Sequence, residues 1–329
     1  MNGELVSVII PAHNAQDTID DTLRSVRSQS HRALEIIVVD DGSRDQTVAI
    51  ARRHMEIDPR MRLIEQANAG VAAARNTGWQ AAQSNLIAFV DADDLWAPTK
   101  IERQLAVLDR TDEKVGLVYC WYLVVDAQGK VTDDQHRPNW RGDVLERLFH
   151  GNFVGNGSAA LVRRQALIDA GGFESGLREA GAQGCEDILF YCRVAERYHF
   201  EVVEEPLVGY RYLPGNMSSN MTRMLRSWML VVDEMLGRHP DAASTLREGL
   251  HFYSVWLLER TLRQRRPRYV LPILSLLLRH HPAIAKRIIV IDLPWVGAHL
   301  AKRVVTRLVR GRRPIRSQVT ARFPTGELK

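Results

Sequence analysis

Apolar and polar positions alternate along the first ninety residues in a way that predicts strands and helices in turn. The strand-like runs are almost continuously apolar and rich in β-branched residues, which is typical of strands buried on both faces. The segments between them have apolar residues at helical spacing. The predicted order is strand 5–10, helix 18–28, strand 34–39, helix 47–55, strand 62–64, helix 69–82 and strand 86–90. This order predicts an α/β fold with a mostly parallel sheet and helices on both faces.

The pattern changes after a further aromatic-rich strand, which is predicted at 115–125. The elements expected beyond it are a turn at 127–130, a helix at 144–150, a loop at 151–157, a strand at 158–163, a helix at 164–170 and mainly helices from 221 onward. We therefore place a domain boundary near 240, between an α/β domain over 1–240 and a helical C-terminal extension over 241–329.

Charge is divided unevenly between these two parts of the chain. Residues 241–329 contain 18 Lys and Arg against 5 Asp and Glu, a net charge of +13, whereas residues 1–240 contain 26 against 34, a net charge of −8. The basic, partly apolar segment 268–310 could lie on an anionic membrane surface, or its helices could pack on the body with a solvated basic face. No apolar run reaches the roughly 20 residues of a membrane-spanning helix. No nucleic-acid-binding motif is present, and we expect no nucleic-acid partner.

The N-terminus and the cysteines predict a compartment. Residues 1–10 have neither the basic start nor the small-residue cleavage site of a signal peptide. The three cysteines form no closely spaced zinc or redox motif, which favours reduced thiols over a disulfide framework. We expect a cytoplasmic protein, which could be peripheral on the cytoplasmic face of the membrane.

Three carboxylates follow the strand predicted at 86–90: Asp91, Asp93 and Asp94. If the segment stays extended, Asp91 and Asp93 point the same way and can share one cation or ribose-diphosphate group. Carboxylate oxygens suit Mg²⁺ or Mn²⁺, the ions that accompany phosphates. The alternative is that Asp93 or Asp94 caps a helix that begins near Pro98.

Two other loops should reach the same edge of the sheet, because ligands of open α/β sheets bind beyond the carboxyl ends of the strands. In the loop at 40–43, Asp41 could accept a hydrogen bond from a uracil imide, or the loop could be an ordinary Asp-Gly turn. In the loop at 11–14, His13 could stack on a base or be an ordinary polar loop residue.

Two helices carry further candidate groups. Arg75 lies on a helix of small residues and could bind a phosphate or pair with Asp91, or it could be a surface arginine. Glu186 and Asp187 begin an amphipathic helix, where the helix dipole favours acids in any case. The functional interpretation is that one of these carboxylates accepts a proton from an attacking hydroxyl group.

Taken together, these motifs resemble family 2 glycosyltransferases of the GT-A fold over residues 4–220. The matching segments, in family order, are VIIPAHN at 8–14, VVDDGS at 38–43, NAGVAAARNTG at 68–78, FVDADD at 89–94, GGF at 171–173, ED at 186–187, YR at 210–211 and PGNMS at 214–218. The resemblance implies an inverting, metal-dependent enzyme that moves a sugar from a nucleoside-diphosphate sugar, here a UDP-sugar. The acceptor would be a saccharide or lipid-linked saccharide in cell-surface polysaccharide or glycolipid synthesis.

The same resemblance implies a catalytic domain over 1–240, with a nucleotide half of about 1–125 and an acceptor half of about 126–240. It also implies a role for individual residues. Asp187 would be the catalytic base, with Glu186 beside it, and Asp93 and Asp91 would bind the Mn²⁺ or Mg²⁺ ion. The nucleotide would be bound by Pro11, Ala12, His13, Asn14, Asp41, Arg75, Asp91 and Ala92, and the donor and acceptor pocket would include Gly157, Ser158 and Arg211.

Two departures from the family pattern affect these expectations. His13 stands where many relatives have Tyr, and Leu213 stands where relatives often have a His near the metal. A sugar-phosphate nucleotidyltransferase and a non-catalytic nucleotide-sugar binding protein remain open as alternatives. A dehydrogenase is disfavoured because no glycine fingerprint follows the first strand.

Overall fold

The strands and helices predicted for the first ninety residues are all present. The computed structural model describes residues 3–134, 137–213, 217–294 and 322–326. The strands are β1 Val6–Ala12, β2 Leu34–Asp41, β3 Met61–Gln66, β4 Leu86–Phe89, β5 Leu95–Trp96, β6 Val115–Val125, β7 Val131–Asp133, β8 Leu161–Arg163 and β9 His199–Arg211. The helices are α1 Ile19–Arg27, α2 Thr47–Ile57, α3 Val71–Ala81, α4 Lys100–Leu108, α5 Leu145–His150, α6 Arg164–Asp169, α7 Gly176–Glu179, α8 Glu186–Ala195, α9 Met221–Arg238, α10 Ala243–Arg263, α11 Val270–His280 and α12 Pro282–Arg287.

One sheet joins the strands in the order β3-β2-β1-β4-β8-β6-β9-β5, with β7 paired to β6. The first four strands are all parallel, as the sequence predicts. Strand β8 then lies antiparallel to both β4 and β6, whereas β6 and β9 are parallel to each other. The α/β class with flanking helices is confirmed. The antiparallel strand between the two parallel groups is a feature that the local pattern does not predict.

Helix α3 packs closely on the parallel part of the sheet because its inner face consists of small residues. At Gly78, an added Cβ atom would lie 2.3 Å from Ile9 Cγ2 on β1 and 3.2 Å from Val39 Cγ2 on β2. A residue with a side chain would push the helix away from the sheet. This close packing holds the preceding turn of α3, which carries Arg75, near the carboxyl edge of the strands.

Two sequence predictions near this edge are wrong in detail. The strand predicted at 158–163 begins only at Leu161, because Gly157–Ala159 forms a 3₁₀ turn in which the Asn156 side chain accepts a hydrogen bond from Ser158 N–H. The acidic segment after β4 is not extended, since Asp94 N–H donates to the Asp91 carbonyl at 3.0 Å and closes a turn.

The C-terminal helices pack on one another and on the preceding domain, with α10 in contact with both α9 and α5. Further along, residues 322–326 return to the body, where Phe323 is buried against Gly209 and its N–H donates to the Gly129 carbonyl at 2.9 Å. None of the helices in the described part of the chain is both long and apolar enough to cross a bilayer. Of the segment 268–310, residues 295–310 lie outside the described residues, as do residues 214–216 of the PGNMS motif.

Candidate functional site

Arg75 is the buried cation at the centre of the site. Its side chain is about 4% exposed, and Nη2 donates to Asp91 Oδ1 at 2.5 Å. The guanidinium carbon lies 5.2 Å from the centre of the Phe173 ring. Gly157 packs directly on it, since an added Cβ would lie 2.6 Å from Arg75 Nη2. The alternative of a surface arginine is therefore wrong, and a buried charge of this kind requires opposite charges nearby.

Those opposite charges come from two separate parts of the chain. Burial opposes the charged form of Arg75, but the negative charges of Asp91, Asp187 and Glu186 raise its pKa above the ordinary value. Asp91 follows β4, whereas Glu186 and Asp187 begin α8, almost a hundred residues later. The tertiary fold thus brings the predicted phosphate-side carboxylate and the predicted base to the same arginine.

Asp187 is half-buried at the first turn of α8. Its Oδ2 accepts a hydrogen bond from Asn152 Nδ2 at 2.9 Å, and Oδ1 accepts from Ile188 N–H at 2.8 Å. Burial raises its pKa to about 6; Arg75 opposes the shift and Glu186 adds to it. The carboxylate is therefore ionised at neutral pH but binds a proton more readily than an exposed aspartate, which suits a general base. Glu186 is more buried and accepts from Gly184 N–H at 2.9 Å.

Asp93 is a half-buried carboxylate close to Asp91. Burial, and next the charge of Asp91, raise its pKa to about 7. A divalent cation would offset this repulsion, and carboxylate oxygens are the ligands that Mn²⁺ and Mg²⁺ prefer, so the residues present fit such an ion. No group of three or more His, Cys, Asp and Glu side chains suited to a metal exists within the described residues. A cation held by two carboxylates would take its other ligands from phosphate and water, as Mg²⁺ usually does.

Asp94, the third carboxylate of the turn, is fully buried and links the turn to two other segments through hydrogen bonds. It accepts hydrogen bonds from Ser158 Oγ at 2.5 Å and from Arg211 N–H at 2.9 Å. Burial, and then the charges of Asp93 and Asp91, raise its pKa well above the ordinary value. The alternative that Asp94 caps a helix is wrong, since α4 begins after Thr99. Asp94 instead joins β4 to two residues predicted in the donor and acceptor pocket.

Arg211 is buried in spite of its charge. Its guanidinium donates to the Ala127 carbonyl at 2.8 Å and to Asp21 Oδ2 at 3.2 Å. The positive charge of Arg211 also lowers the pKa of Asp93, against the larger effects of burial and of Asp91. Arg211 therefore lies behind the acidic turn, where it balances the negative charge.

Asp41 is the most fully hydrogen-bonded carboxylate of the predicted nucleotide pocket. Oδ1 accepts from Gln66 Nε2 and Ala69 N–H, both at 2.8 Å, and Oδ2 accepts from Gly70 N–H at 2.8 Å. It fixes the loop that leads into α3, and through α3 it contributes to the position of Arg75. Glu186 lines a small crevice together with Ala69 and Gly70, so this loop also borders the Asp187 side of the site.

The other predicted nucleotide residues lie around the end of β1. Pro11 and Ala12 are buried in the strand, and His13 is exposed, with Nδ1 2.8 Å from the Asp41 carbonyl. Asn14 has a left-handed backbone with φ of 48° and holds the neighbouring loop through a hydrogen bond from Arg44 N–H. Ala92 is buried in the acidic turn, where its carbonyl accepts from Thr22 Oγ1 at 3.0 Å.

Sequence reasoning missed two groups that position the candidate residues. Asn152 orients Asp187, and Asp94 fixes Ser158 and Arg211. Asn152 lies in the loop predicted at 151–157, but nothing in the local pattern links it to a helix that begins more than thirty residues later. For Asp94, the buried apolar residues that follow it in β5 were a usable signal that this carboxylate faces the interior.

The fold is of the GT-A type, since it aligns with two solved glycosyltransferases. S. aureus TarS 1-349 in complex with UDP-GlcNAc aligns over 85% of this chain and 82% of that chain, with a TM-score of 0.64 and 18% identity. The mannosyltransferase PcManGT from Pyrobaculum calidifontis, in complex with GDP-Man and Mn²⁺, aligns over 92% of this chain and 80% of that chain, with a TM-score of 0.58 and 22% identity. At these identities the likeness shows the fold.

The family model for glycosyl transferase family 2 matches residues 7–171, and the chain belongs to this family. The putative teichuronic acid biosynthesis glycosyltransferase TuaG of Bacillus subtilis is 46% identical over 102 residues, which are 31% of this chain and 40% of TuaG. The putative glycosyltransferase EpsH of the same organism is 33% identical over 222 residues, 64% of this chain and 62% of EpsH. The chain therefore spans less than two thirds of the length of these relatives.

Proposed function

We propose that the protein transfers a sugar from a UDP-sugar to an acceptor hydroxyl group with inversion of the anomeric configuration. The observation that carries the proposal is that Asp91 and Asp187 both lie close enough to Arg75 to raise its pKa. A carboxylate predicted on the phosphate side and a candidate base thus lie around the same arginine. The UDP-GlcNAc bound to the TarS structure supports a UDP-sugar donor.

Each group has a distinct task in the proposed reaction. Asp187 accepts the proton of the acceptor hydroxyl, whose oxygen attacks the anomeric carbon as the bond from that carbon to the diphosphate breaks. Arg75 offers a fixed positive charge toward the departing diphosphate. Asp93 and Asp91 would hold the divalent cation, which when bound supplies further charge stabilisation for the diphosphate. A single displacement of this kind inverts the anomeric centre.

The remaining candidate residues would bind the nucleoside and the sugar of the donor. Pro11, His13 and Asp41 line the nucleoside pocket in this proposal, and Gly157 and Ser158 border the sugar. We assign the catalytic domain to 1–240, with a nucleotide half of about 1–125 and an acceptor half of about 126–240. Gly155 belongs to the turn below which the sugar ring would lie, and an added Cβ there would lie 2.3 Å from Tyr122 Cε1 at a backbone φ of 95°.

A panel of nucleotide sugars tests the donor and the mechanism together. We expect UDP-sugars to raise the melting temperature more than GDP-sugars, and Mn²⁺ to increase the shift. Asp93→Asn should remove the Mn²⁺ increment, whereas Asp126→Asn, in the turn after β6, should leave it unchanged. Retention of configuration in the product, measured by NMR, would contradict the mechanism.

The same assays separate the two competing functions. A sugar-phosphate nucleotidyltransferase would release pyrophosphate from UTP and a sugar phosphate, and we expect none. A non-catalytic binding protein would give the same donor turnover for the wild type and for Asp187→Asn. We expect turnover by the wild type and its loss in the variant.

For the acceptor and the location, we propose cell-surface polysaccharide or glycolipid synthesis at an anionic membrane surface. The printed name of the relative TuaG, in teichuronic acid biosynthesis, supports a saccharide acceptor. The membrane contact is supported by Leu271, Val290 and Ile291, which are 77%, 72% and 61% exposed. Cationic residues accompany them on α11 and α12, namely Arg279, Lys286 and Arg287. Apolar side chains flanked by cations suit an anionic bilayer surface.

Liposome flotation tests this contact. We expect the full chain to float with anionic vesicles and less with neutral ones, and the double change Leu271→Glu with Val290→Glu to reduce flotation. Ile57→Glu is the matched control, because Ile57 is 68% exposed on α2, far along the chain from the basic segment. Equal flotation of all three proteins would contradict a membrane role.

A further inference from the structure

A solvent-open groove lies beside the candidate base and is not used by the proposed donor site. Its volume is about 420 Å³, and it is lined by Trp140, Arg147, His150, Gly151, Asn152 and Phe153. These residues belong to α5 and the segments on either side of it. Asn152 lies between the groove and the candidate base, because its side chain also donates to Asp187 Oδ2 at 2.9 Å. A molecule in the groove would therefore be one side chain away from the base.

Trp140 and Arg147 give the groove its chemical character. The Arg147 guanidinium stacks on the indole at 4.1 Å from the ring centre, and both side chains are exposed. Stacking of this kind holds the guanidinium in place while its N–H groups stay available for an oxyanion. The indole adds an apolar surface that suits the C–H face of a sugar ring.

The groove carries the positive charge of Arg147, which no ion pair within the described residues neutralises. Across the described ranges, no carboxylate forms an ion pair with Arg147, and none of the residues lining the groove is acidic. The nearby Arg141 is different, since it pairs with Glu204 at 2.6 Å and with Glu201 at 3.4 Å. Unlike Arg141, Arg147 therefore keeps guanidinium N–H groups that can bind an anionic ligand.

Hydrogen bonds to strands β6 and β9 hold the backbone around Trp140 in place. Tyr119 Oη donates to the Trp140 carbonyl at 3.0 Å, and Trp121 Nε1 donates to the Pro138 carbonyl at 2.7 Å. Gly142 then forms a two-way backbone bridge to Phe200 on β9, with N–O distances of 2.9 and 3.0 Å. An indole on a fixed backbone loses little conformational entropy when a ligand binds.

We propose that this groove is the acceptor site, and that the acceptor is a saccharide with an anionic substituent, a carboxylate or a phosphate, that Arg147 binds. The inference rests on the proposed glycosyltransferase function and adds the class of acceptor to it. The sugar ring packs on Trp140, and the hydroxyl that is to be glycosylated reaches Asp187 past Asn152.

The test measures binding of three defined oligosaccharides to the full chain by calorimetry in the presence of UDP. The probes are a β-linked tetraglucuronate, cellotetraose as its neutral counterpart, and cellotetraose that carries phosphate esters. We expect at least one anionic probe to bind about tenfold more tightly than cellotetraose, since charge-assisted hydrogen bonds are the strong ones. The tighter of the two anionic probes identifies the substituent.

Two arginine variants make the test specific. Arg147→Gln should remove the preference for the anionic probe, whereas Arg141→Gln, an equal loss of charge outside the groove, should retain it. Trp140→Ala should weaken binding of all three probes without changing the affinity for UDP. Equal behaviour of the two arginine variants, or no preference of the wild type for either anionic probe, overturns the inference. If the wild type also fails to bind UDP, the proposed function itself fails.

Discussion

Polar groups are held differently in the two halves of the candidate site. On the nucleotide side, Asp41 receives three hydrogen bonds from the loop before α3, and Arg75 is buried against Asp91. On the acceptor side, Arg147 is exposed and stacks on an exposed Trp140. The proposed nucleotide half is thus held by contacts within the protein. The proposed acceptor half has charge and apolar surface that are open to a ligand.

This difference follows from the architecture of each half. The nucleotide half uses parallel strands whose carboxyl ends meet at one edge, so that short loops converge on a small volume. The acceptor half is built from segments between antiparallel and parallel strands and helices, so its groups converge over a larger surface. Donor binding should therefore resist substitutions in the acceptor half, and the predictions below test that separation.

The largest expected effect is a fall in kcat without a change in donor binding. Asp187→Asn should lower kcat by about 10² to 10⁴-fold, because the general base is lost. The affinity for UDP, measured by calorimetry, should stay the same. Glu186→Gln is the matched control at the adjacent position, where the side chain accepts a hydrogen bond from Gly184 N–H, and it should retain most of the activity. If kcat falls more in Glu186→Gln than in Asp187→Asn, Glu186 rather than Asp187 is the general base.

A substitution on the nucleotide side should instead affect stability and donor binding together. Asp41→Asn replaces a carboxylate that accepts from Gln66, Ala69 and Gly70, and we expect the free energy of unfolding to fall by about 2–4 kcal/mol. UDP affinity should fall as well, because the loop before α3 loses its anchor. Urea denaturation and calorimetry measure the two effects.

The control for this change is Asp45→Asn in the neighbouring loop. Asp45 accepts from Thr47 N–H at 2.9 Å at the start of α2, so its loss should cost about 0.5–2 kcal/mol. UDP affinity should be unchanged. If both variants bind UDP like the wild type, Asp41 does not organise the nucleotide side.

The pH dependence of activity should report Asp187. Its pKa is raised to about 6, and the base must be ionised to accept a proton, so activity is full well above pH 6 and declines below it. We expect kcat/KM to fall about tenfold per pH unit on the acid side. UDP binding measured without a divalent cation over the same range should not follow this profile. A flat activity profile between pH 5 and about 7 would exclude Asp187 as the base.

The smallest expected effect is on the support of the acceptor groove. Tyr119→Phe removes the hydrogen bond to the Trp140 carbonyl and should lower the free energy of unfolding by about 0.5–1.5 kcal/mol. KM for the acceptor should rise while KM for the donor stays constant. Equal changes in both constants would show that the two halves are not separable.

The first four strands and the three helices between them could be predicted from the sequence. Their apolar periodicity is local, and the buried parallel strands have no polar face to obscure it. The carboxylates after β4 were also visible, because they interrupt an apolar run. The extended shape expected for Asp91 and Asp93 was wrong, since the hydrogen bond from Asp94 N–H to the Asp91 carbonyl closes a turn that the pattern does not encode.

The sequence by itself determined which residues carry charge at the ends of strands, and that those ends meet. Only the tertiary structure decided that Arg75 is buried between Asp91 and the start of α8, that Asp94 faces inward to Ser158, and that Asn152 reaches Asp187. The physical reason is the range of the interactions. Periodicity and turn chemistry act over a few residues, whereas the pairing of β8 with β4 and β6 joins segments tens of residues apart and leaves no local pattern.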